Sequence, residues 1–359
     1  MKILELADFY SNYGSNFIPT LEYLEKKLNQ NGHEVFFIFS KRNLSEKFFE
    51  WEKPFEKKHR TALFDFASKH FVRGVVEFIK KNDIDVVHAH FCASFLLSQI
   101  KKKTKGKVSF YQHIHSCPFN NKKTIRAYVK RFRNIFILDK NIKKICVSKS
   151  IVPMTKFVFP LQTVIYCTNA IDFSRLETEP RASINKNSIL LFGYNYYIKG
   201  VDLALKAITN LRHKTGLDIQ LDIVMSDHME SNIEIIKRNY GEIPDGINLL
   251  EPRSDVSKLY NNHCIFLNSS RSEGLSFANI EAYYSNCLCV FSDISQNKEA
   301  GLPNVSYFRA GDSDDLERVL SSILLNDVQT NNDVDYVKRT FSLERWSDEM
   351  IQILQPIGK

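Results

Sequence analysis

The stretch CIFLNSSRSEGLSFANIEAYY, residues 264 to 284, joins a short apolar run to a helical pattern through a small polar loop. A short apolar run bounded by turn-forming residues predicts a buried strand. Ser276 stands at the N-cap position of the helix, where a side-chain oxygen accepts a hydrogen bond from a free backbone N–H. A strand that leads directly into a helix is the repeating unit of a parallel α/β sheet.

The same unit recurs in both halves of the chain. Runs that predict strands cover residues 1–6, 34–39, 84–90, 107–113, 143–148 and 162–166 in the first half, and 188–194, 217–225, 246–252, 264–270, 287–293 and 304–310 in the second. Helical patterns lie between most of them, which favours parallel sheets covered by helices on both faces. We therefore predict an α/β fold with two Rossmann-like parallel-sheet domains that face each other across a cleft. Ligands of such sheets bind beyond the carboxyl ends of the strands.

The predicted parts of the chain are an N-terminal domain over residues 1–170, a linker over 171–187, a C-terminal domain over 188–340 and a closing helix over 341–359. The polar composition of the linker separates the two series of strands. We expect the closing helix to pack back toward the N-terminal domain.

Charge is unevenly distributed. Residues 1–170 hold 30 Lys and Arg against 14 Asp and Glu, whereas residues 171–359 hold 19 against 27. Segment 101–156 alone has sixteen basic residues and one acid, and residues 124–138 combine apolar and basic side chains at the spacing of an amphipathic helix. Three interpretations stay open: a solvated helix face, a surface that docks on an anionic membrane, and a nucleic-acid site. Because no nucleic-acid module accompanies the charge, we expect no nucleic-acid partner.

The seven cysteines are odd in number and contain no C-x-x-C pair, so we predict reduced core cysteines rather than a disulfide framework. The apolar run at the start of the chain, MKILELADFY, is too short and too acidic for a signal peptide. No apolar run reaches the roughly 18 residues that span a bilayer. We expect a cytoplasmic protein, either free or peripheral on the inner face of the membrane.

The acids of the opening stretch, Glu273 and Glu281, flank the start of its predicted helix. Free N–H groups and the helix dipole favour an anion there, Gly274 permits close approach, and carboxylates suit the hydroxyls of a sugar or ribose. The alternative is an ordinary helix with Ser276 as its N-cap and Glu281 in solvent.

Four histidines, His88, His90, His113 and His115, stand at the ends of two predicted strands, where residues two apart share a face. Imidazole is a common metal ligand, but the sequence offers no paired carboxylate or cysteine that would complete a zinc pattern. We therefore predict no metal site.

The chain resembles the retaining glycosyltransferases of family four, which have the GT-B fold, nearly from end to end. The resemblance rests on the Glu-x7-Glu segment EGLSFANIE (273–281), GHEV (32–35), IDVVHAHF (84–91), CVSKS (146–150), VIYCTNAIDFSRL (164–176), LLFGYNYYIKGVDLALKAI (190–208) and FSLERWSDEMIQIL (341–354). It implies transfer of a sugar from a nucleotide-sugar, expected to be a UDP-sugar, to an acceptor hydroxyl with retention of configuration. No cofactor and no metal ion are implied. A lipid-linked or polysaccharide acceptor, as in bacterial capsule, exopolysaccharide or cell-wall synthesis, fits the basic N-terminal half.

The family pattern assigns roles to individual residues. Glu281 matches the carboxylate that holds the ribose, Glu273 the one near the donor sugar, and Lys199 the lysine that neutralises the diphosphate. His113 or His115 matches the histidine near the reacting sugar, and the sequence leaves the choice open. Further donor contacts are implied for Gly14, Ser15, Gly193, Gly274, Leu275, Ser276 and Phe277.

The chain departs from the family pattern in ways that keep other functions open. Gly193-Tyr194 stands where many members have Gly-Arg, which removes a second cation from the diphosphate. The sequence 285–290, SNCLCV, replaces a usual glycine- and proline-containing turn. The rivals are a sugar-nucleotide epimerase on the same fold and a non-catalytic partner of another glycosyltransferase.

Overall fold

The structure, a computed structural model, describes residues 1–9, 15–40, 60–104, 108–176, 185–225, 229–253, 255–326 and 328–356. The chain divides into two compact units. The first consists of Met1–Ala170 and Phe341–Lys359, and the second of Ile171–Thr340. Gly14, one of the predicted donor contacts, lies outside the described residues.

The first unit is built on a parallel sheet with the strand order β3-β2-β1-β4-β5-β6-β7. The strands are β1 (Lys2–Ala7), β2 (Glu34–Ser40), β3 (Thr61–Phe64), β4 (Val86–His90), β5 (Ser109–Ile114), β6 (Ile142–Cys146) and β7 (Val164–Tyr166). The helices between them are α1 (Phe17–Gln30), α2 (Phe71–Lys81), α3 (Ser94–Lys103), α4 (Ile125–Ile137) and α5 (Val152–Val158). Strand β3 has no counterpart in the sequence analysis, because four half-buried residues at a sheet edge give too short a pattern.

The second unit repeats the plan with six parallel strands in the order β10-β9-β8-β11-β12-β13. They are β8 (Ser188–Phe192), β9 (Gln220–Val224), β10 (Ile247–Leu250), β11 (Ile265–Asn268), β12 (Leu288–Ser292) and β13 (Ser306–Phe308). Its helices are α6 (Val201–Thr215), α7 (Met229–Tyr240), α8 (Val256–Asn262), α9 (Phe277–Tyr284), α10 (Ser295–Glu299), α11 (Ser313–Leu325) and α12 (Val334–Phe341). The prediction of two Rossmann-like parallel sheets is confirmed.

The last helix, α13 (Leu343–Ile353), belongs to the first unit. Trp346 and Met350 are buried in the same apolar cluster as Leu21 and Leu24 of α1. Burial of such large side chains supplies most of the stabilisation at a helix contact. The exposed ion pair of Lys27 and Asp348, at 3.2 Å between Nζ and Oδ1, adds little to it.

All seven cysteines lie within the described residues, and none of them forms a disulfide. Six of the seven are buried, as expected for reduced core cysteines. Among the helices that the structure describes, none combines the length and the apolar composition that a membrane crossing requires.

Candidate functional site

The loops that follow β8 and β11 lie side by side, because these two strands are neighbours in the sheet of the second unit. Ser269 Oγ donates to the carbonyl oxygens of Lys199 at 2.8 Å and of Gly200 at 3.0 Å. The backbone N–H of Arg271 donates to the carbonyl of Ile198 at 2.7 Å. Gly200 has a φ of +64°, and a Cβ there would lie 2.1 Å from the carbonyl oxygen of Ser269. Only glycine allows the two loops to approach this closely.

Arg271 fastens the same two loops through its side chain. Its guanidinium donates to both carboxylate oxygens of Asp202 at 2.7 Å and to the carbonyl oxygen of Tyr197 at 2.6 Å. The guanidinium carbon also lies 4.1 Å from the centroid of the Tyr197 ring. A bidentate arginine contact fixes direction as well as distance, so the start of α6 is held against the loop after β11.

Lys199 and Glu273 meet inside this pair of loops. The Lys199 ammonium donates to Glu273 Oε1 at 2.6 Å and lies 4.5 Å from the centroid of the Tyr194 ring. Ser270 Oγ donates to the same carboxylate oxygen at 2.6 Å. Burial acts to lower the pKa of Lys199, but the charge of Glu273 and the contact with Tyr194 outweigh it and raise that pKa above its usual value. Lys199 is therefore a fixed cation throughout the physiological pH range.

Helix α9 begins directly after this ion pair. Ser276 is its N-cap, and the Ser276 side chain accepts from the N–H of Asn279 at 3.4 Å. Gly274 and Leu275 are buried just before the helix. Beneath them, Asn279 accepts from Asn268 Nδ2 at 2.5 Å and so ties the helix start to the end of β11. The first turn of a helix presents free N–H groups and the positive end of its dipole, which favour an anion.

Glu281 lies one turn into α9 and is buried rather than in solvent. Tyr260 donates its hydroxyl to Glu281 Oε2 at 2.9 Å, and Arg175 Nη1 lies 3.6 Å from Oε1. Burial raises the pKa of the Glu281 carboxyl, while the charge of Arg175 and the hydrogen bond from Tyr260 act to lower it. Arg175 Nη1 is buried, and no described residue forms a hydrogen bond with it. The alternative in which Glu281 of α9 lies in solvent is therefore wrong, because the side chain is buried.

Gly193 and Tyr194 begin the loop after β8. A Cβ on Gly193 would lie 2.6 Å from Ile223 Cγ2 and 2.8 Å from Val201 Cγ2, so packing excludes a side chain there. Tyr194 is 55% exposed and covers the Lys199 ammonium with its ring. The residue that replaces the family's arginine thus adds no charge and contacts the remaining cation through a cation–π interaction.

The four predicted histidines, His88, His90, His113 and His115, form a cluster with a buried carboxylate, Glu5 of β1. Glu5 Oε2 lies 2.9 Å from His88 Nδ1 and 3.0 Å from His90 Nε2. His88 Nε2 lies 3.1 Å from His113 Nδ1, and His90 Nδ1 lies 3.1 Å from His115 Nε2. The cluster forms because β1 and β5 flank β4, so that Glu5 pairs with His88 and His113 pairs with His90 across the sheet.

Burial and the neighbouring imidazoles hold the pKa of His90 and of His113 well below the usual value of 6.5. The pKa of His115 is lowered for the same reasons. These three rings are therefore neutral at pH 7. Ser15 is the residue of the predicted N-terminal loop that the structure describes. It is exposed with a φ of +47°, and its hydroxyl accepts from the N–H of Phe17 at 3.2 Å.

A nitrogen from each of His88, His90 and His113 lies within 4.8 Å of the others, which is close enough for a shared metal ion. The sequence argument against a metal assumed that no carboxylate accompanies these histidines, and on this point it was wrong, since Glu5 lies among them. The nitrogen atoms of His88 and His90 that face Glu5 lie within hydrogen-bond distance of its carboxylate, and the absence of a metal stays a prediction.

Two similar α/β units, with a buried lysine and carboxylate beside a helix N-terminus in the second, define a glycosyltransferase of the GT-B type. Comparison with known proteins supports this class. The family description "Glycosyltransferase Family 4" matches residues 20–175, and "Glycosyl transferases group 1" matches residues 186–326. The chain belongs to the family-four glycosyltransferases.

Solved structures agree in fold over nearly the whole chain. A glycosyltransferase from Rickettsia africae has a TM-score of 0.72 at 17% identity, with 98% of this chain and 97% of that chain covered. Anabaena Alr3699/HepE, solved in complex with UDP and glucose, has a TM-score of 0.73 at 14% identity, with coverages of 98% and 99%. WaaG, a glycosyltransferase involved in lipopolysaccharide biosynthesis, has a TM-score of 0.69 at 13% identity, with both chains covered completely. A search of curated proteins finds no match.

Several residues of the site escaped sequence reasoning. Arg175 and Arg271 lie within segments quoted above, but nothing in those segments assigns them a role. Tyr260 has no motif around it, and Glu5 stands in an apolar strand. The one available signal was Glu5 itself, since a lone acid inside a buried strand requires a polar partner.

We predict that Gly200→Ala destabilises the second unit far more than Gly216→Ala does. Both glycines have a positive φ, and a left-handed backbone costs a non-glycine residue about 1–2 kcal/mol. A Cβ at Gly216 meets nothing within 4 Å, whereas a Cβ at Gly200 meets a backbone carbonyl. Urea denaturation should show a loss of about 3 kcal/mol or more for Gly200→Ala. Equal losses for the two variants would contradict the close approach of the two loops.

Proposed function

We propose that the chain is a retaining glycosyltransferase that moves a sugar from a nucleotide-sugar, specifically a UDP-sugar, to an acceptor hydroxyl. The observation that carries this proposal is the buried Lys199–Glu273 pair beside the N-terminus of α9. The solved complexes of Anabaena HepE, with UDP and glucose and with UDP-glucose, support the choice of UDP because that protein shares the fold.

The second unit supplies the groups that a departing nucleoside diphosphate requires. Negative charge builds on the diphosphate as the bond to the sugar breaks, and preorganised cations and N–H donors stabilise that charge. Lys199 provides the cation, and the backbone from Gly274 to Phe277 provides N–H groups at the start of α9. Because Lys199 is held by Glu273 before the donor binds, it is positioned without a further ordering cost.

Glu281 is the proposed acceptor for the ribose hydroxyls. A carboxylate can accept several hydrogen bonds, so the bond from Tyr260 leaves acceptor capacity for the ribose. Arg175 favours the charged form of the buried carboxylate, which makes the stronger hydrogen bonds. Glu273 lies beside the lysine that meets the diphosphate, which suits a position near the donor sugar.

We propose a reaction without a metal ion and without a cofactor, because Lys199 and the helix N-terminus can carry out the neutralisation that a metal provides in other transferases. Retention follows if the departing diphosphate takes the proton from the incoming hydroxyl on the same face of the sugar. His113 and His115 of the first unit remain the candidates for contacts to the reacting sugar.

Helix α4 supports a membrane-associated acceptor. Its exposed apolar side chains recur at spacings of three and four residues and therefore form one face: Ile125, Tyr128, Val129, Phe132 and Phe136, from 54% to 84% exposed. Its buried residues, Ala127 and Asn134, occupy the opposite face. A solvated amphipathic helix would show the reverse arrangement, with the apolar face inward.

Basic residues flank the apolar face of α4. Arg126 and Arg133 are exposed on the same helix, and Arg131 donates to the carbonyl oxygen of Phe157 at 2.6 Å, which ties the helix to its unit. An apolar face bordered by cations suits an anionic bilayer, in which the aromatic rings enter the interface and the arginines meet lipid headgroups. We propose that the protein acts as a peripheral protein on the inner face of the membrane, where a lipid-linked or polysaccharide acceptor of capsule, exopolysaccharide or cell-wall synthesis is made.

Incubation of the full chain with a panel of nucleotide-sugars tests the reaction. We expect release of UDP from one UDP-sugar, unaffected by a metal chelator, and a loss of about 100-fold or more in kcat for Lys199→Gln. Lys206→Gln is the matched control, because Lys206 is an exposed lysine that pairs with the exposed Asp314 and should be replaceable without effect. Epimerised nucleotide-sugar would support the epimerase rival instead, and no turnover with any donor or acceptor would support the non-catalytic one.

Flotation with liposomes tests the membrane surface. We expect the full chain to float with vesicles of phosphatidylglycerol and phosphatidylcholine, but not with phosphatidylcholine alone, and to be released as salt screens the headgroups. Phe132→Ser with Phe136→Ser should weaken binding at least about tenfold per ring, since each loses roughly 1.5 kcal/mol or more of apolar burial.

Leu325→Ser is the control for this experiment, because Leu325 is a comparably exposed apolar residue, at 58%, in the second unit. Failure to float with either vesicle, or equal weakening by Leu325→Ser, would overturn the assignment of α4 as the membrane surface.

A further inference from the structure

The protons of the histidine cluster can be assigned from its geometry. Glu5 is only 1% exposed, and one of its oxygens lies within 3.0 Å of both His88 Nδ1 and His90 Nε2. An ionised carboxylate only accepts hydrogen bonds. With Glu5 ionised, both of these nitrogens carry a proton and donate it to the carboxylate, although they also lie 3.2 Å from each other.

The protons of His88 and His90 then determine those of His113 and His115, because a neutral imidazole donates from one nitrogen and accepts at the other. His88 has used its proton on Glu5, so its Nε2 accepts from His113 Nδ1. His90 likewise accepts from His115 Nε2. Each outer ring has thus placed its single proton toward the carboxylate. The nitrogens left over, Nε2 of His113 and Nδ1 of His115, are lone-pair acceptors.

His113 Nε2 differs from its counterpart because it is buried and no described residue forms a hydrogen bond with it. His115 is partly exposed, so water can satisfy its acceptor. A buried polar atom without a partner is unfavourable, and a ligand-binding role is one reason for such an atom in a folded protein. A hydroxyl that reaches His113 Nε2 therefore gains a hydrogen bond that the resting protein does not make.

We propose that Glu5 and His88 are positioning residues that hold His113 in its Nδ1–H tautomer, so that Nε2 accepts a hydrogen bond from a hydroxyl group of the sugar substrate. The hydrogen bond from the sugar substrate to His113 rests on the proposed glycosyltransferase function. The chemistry of the cluster supports it, because a carboxylate accompanied by lone-pair acceptors attracts no phosphate but suits hydroxyl donors.

The competing protonation state places a second proton on His88. That state would pair an imidazolium with Glu5, and His113 Nδ1 would then accept from His88 and carry its own proton on Nε2. The unpartnered atom would become a buried N–H donor and could not accept from a hydroxyl. The titratable groups that face His113 are Glu5 on β1, His88 and His90 on β4, and His115 after β5.

Nitrogen-15 NMR of the full chain labelled at histidine separates the two states. At pH 7.5 we expect a protonated Nδ1 and an unprotonated Nε2 on His113. This measurement requires no turnover. A chain without transferase activity would therefore contradict the proposed function, whereas the NMR spectrum would still show the tautomer of His113. A protonated Nε2 on His113, or stoichiometric metal in the purified protein that is lost in Glu5→Gln, would overturn the relay.

Two further measurements test what the relay does. Addition of a UDP-sugar should shift the His113 Nε2 resonance, whereas UDP alone should not, and an unchanged resonance despite calorimetric binding would contradict a hydroxyl contact. Glu5→Gln replaces one accepting oxygen with an NH2 group that only donates. Because His90 Nε2 contacts Oε2 alone and His88 Nδ1 faces both oxygens, we expect the NH2 group to face His88 and to reverse the tautomers of His88 and His113. This should lower kcat about 10- to 100-fold, as loss of an orienting partner does elsewhere. Tyr111→Phe, which removes a hydroxyl from the same strand as His113, is the matched control and should leave tautomer and kcat unchanged.

Discussion

The close approach of two backbone segments at Gly200 is the constraint on which the second unit depends. With no Cβ at that position, the carbonyls of Lys199 and Gly200 come within hydrogen-bond distance of Ser269, and the loops after β8 and β11 become one rigid body. Lys199 and Glu273 stand on opposite sides of that contact and meet at 2.6 Å. The ion pair is therefore a consequence of the backbone arrangement, and a salt bridge this buried would be costly without it.

The buried polar groups of the two units have different kinds of partner. In the second unit, buried charges are matched by opposite charges, so that the site keeps a fixed cation. In the first unit, one carboxylate lies within hydrogen-bond distance of two imidazoles, and the rings of His90 and His113 stay neutral. In our proposal, the cluster keeps lone pairs instead of a cation. A fixed cation suits a phosphate, and lone pairs suit hydroxyl groups. This difference is consistent with the division between nucleotide and sugar recognition that we propose.

Local patterns predicted the fold well because they depend on neighbours in sequence. The apolar runs gave the parallel strands, and Ser276 was identified as a helix N-cap from the residues beside it. Local patterns did not predict the contacts of the site, since these contacts join residues that are far apart in the chain. Lys199 and Glu273 were paired only through family resemblance, and Glu5 and Arg175 were missed because nothing local indicates which distant side chain will contact them.

Hydrogen–deuterium exchange of the full chain with and without UDP tests the central claim most directly, because it reads both loops of the second unit in one experiment. The account predicts slower exchange in residues 193–200 and in residues 269–277 together, since the diphosphate is held by Lys199 and by the first turn of α9. Binding of UDP, established by calorimetry, that leaves exchange in both segments unchanged would contradict it.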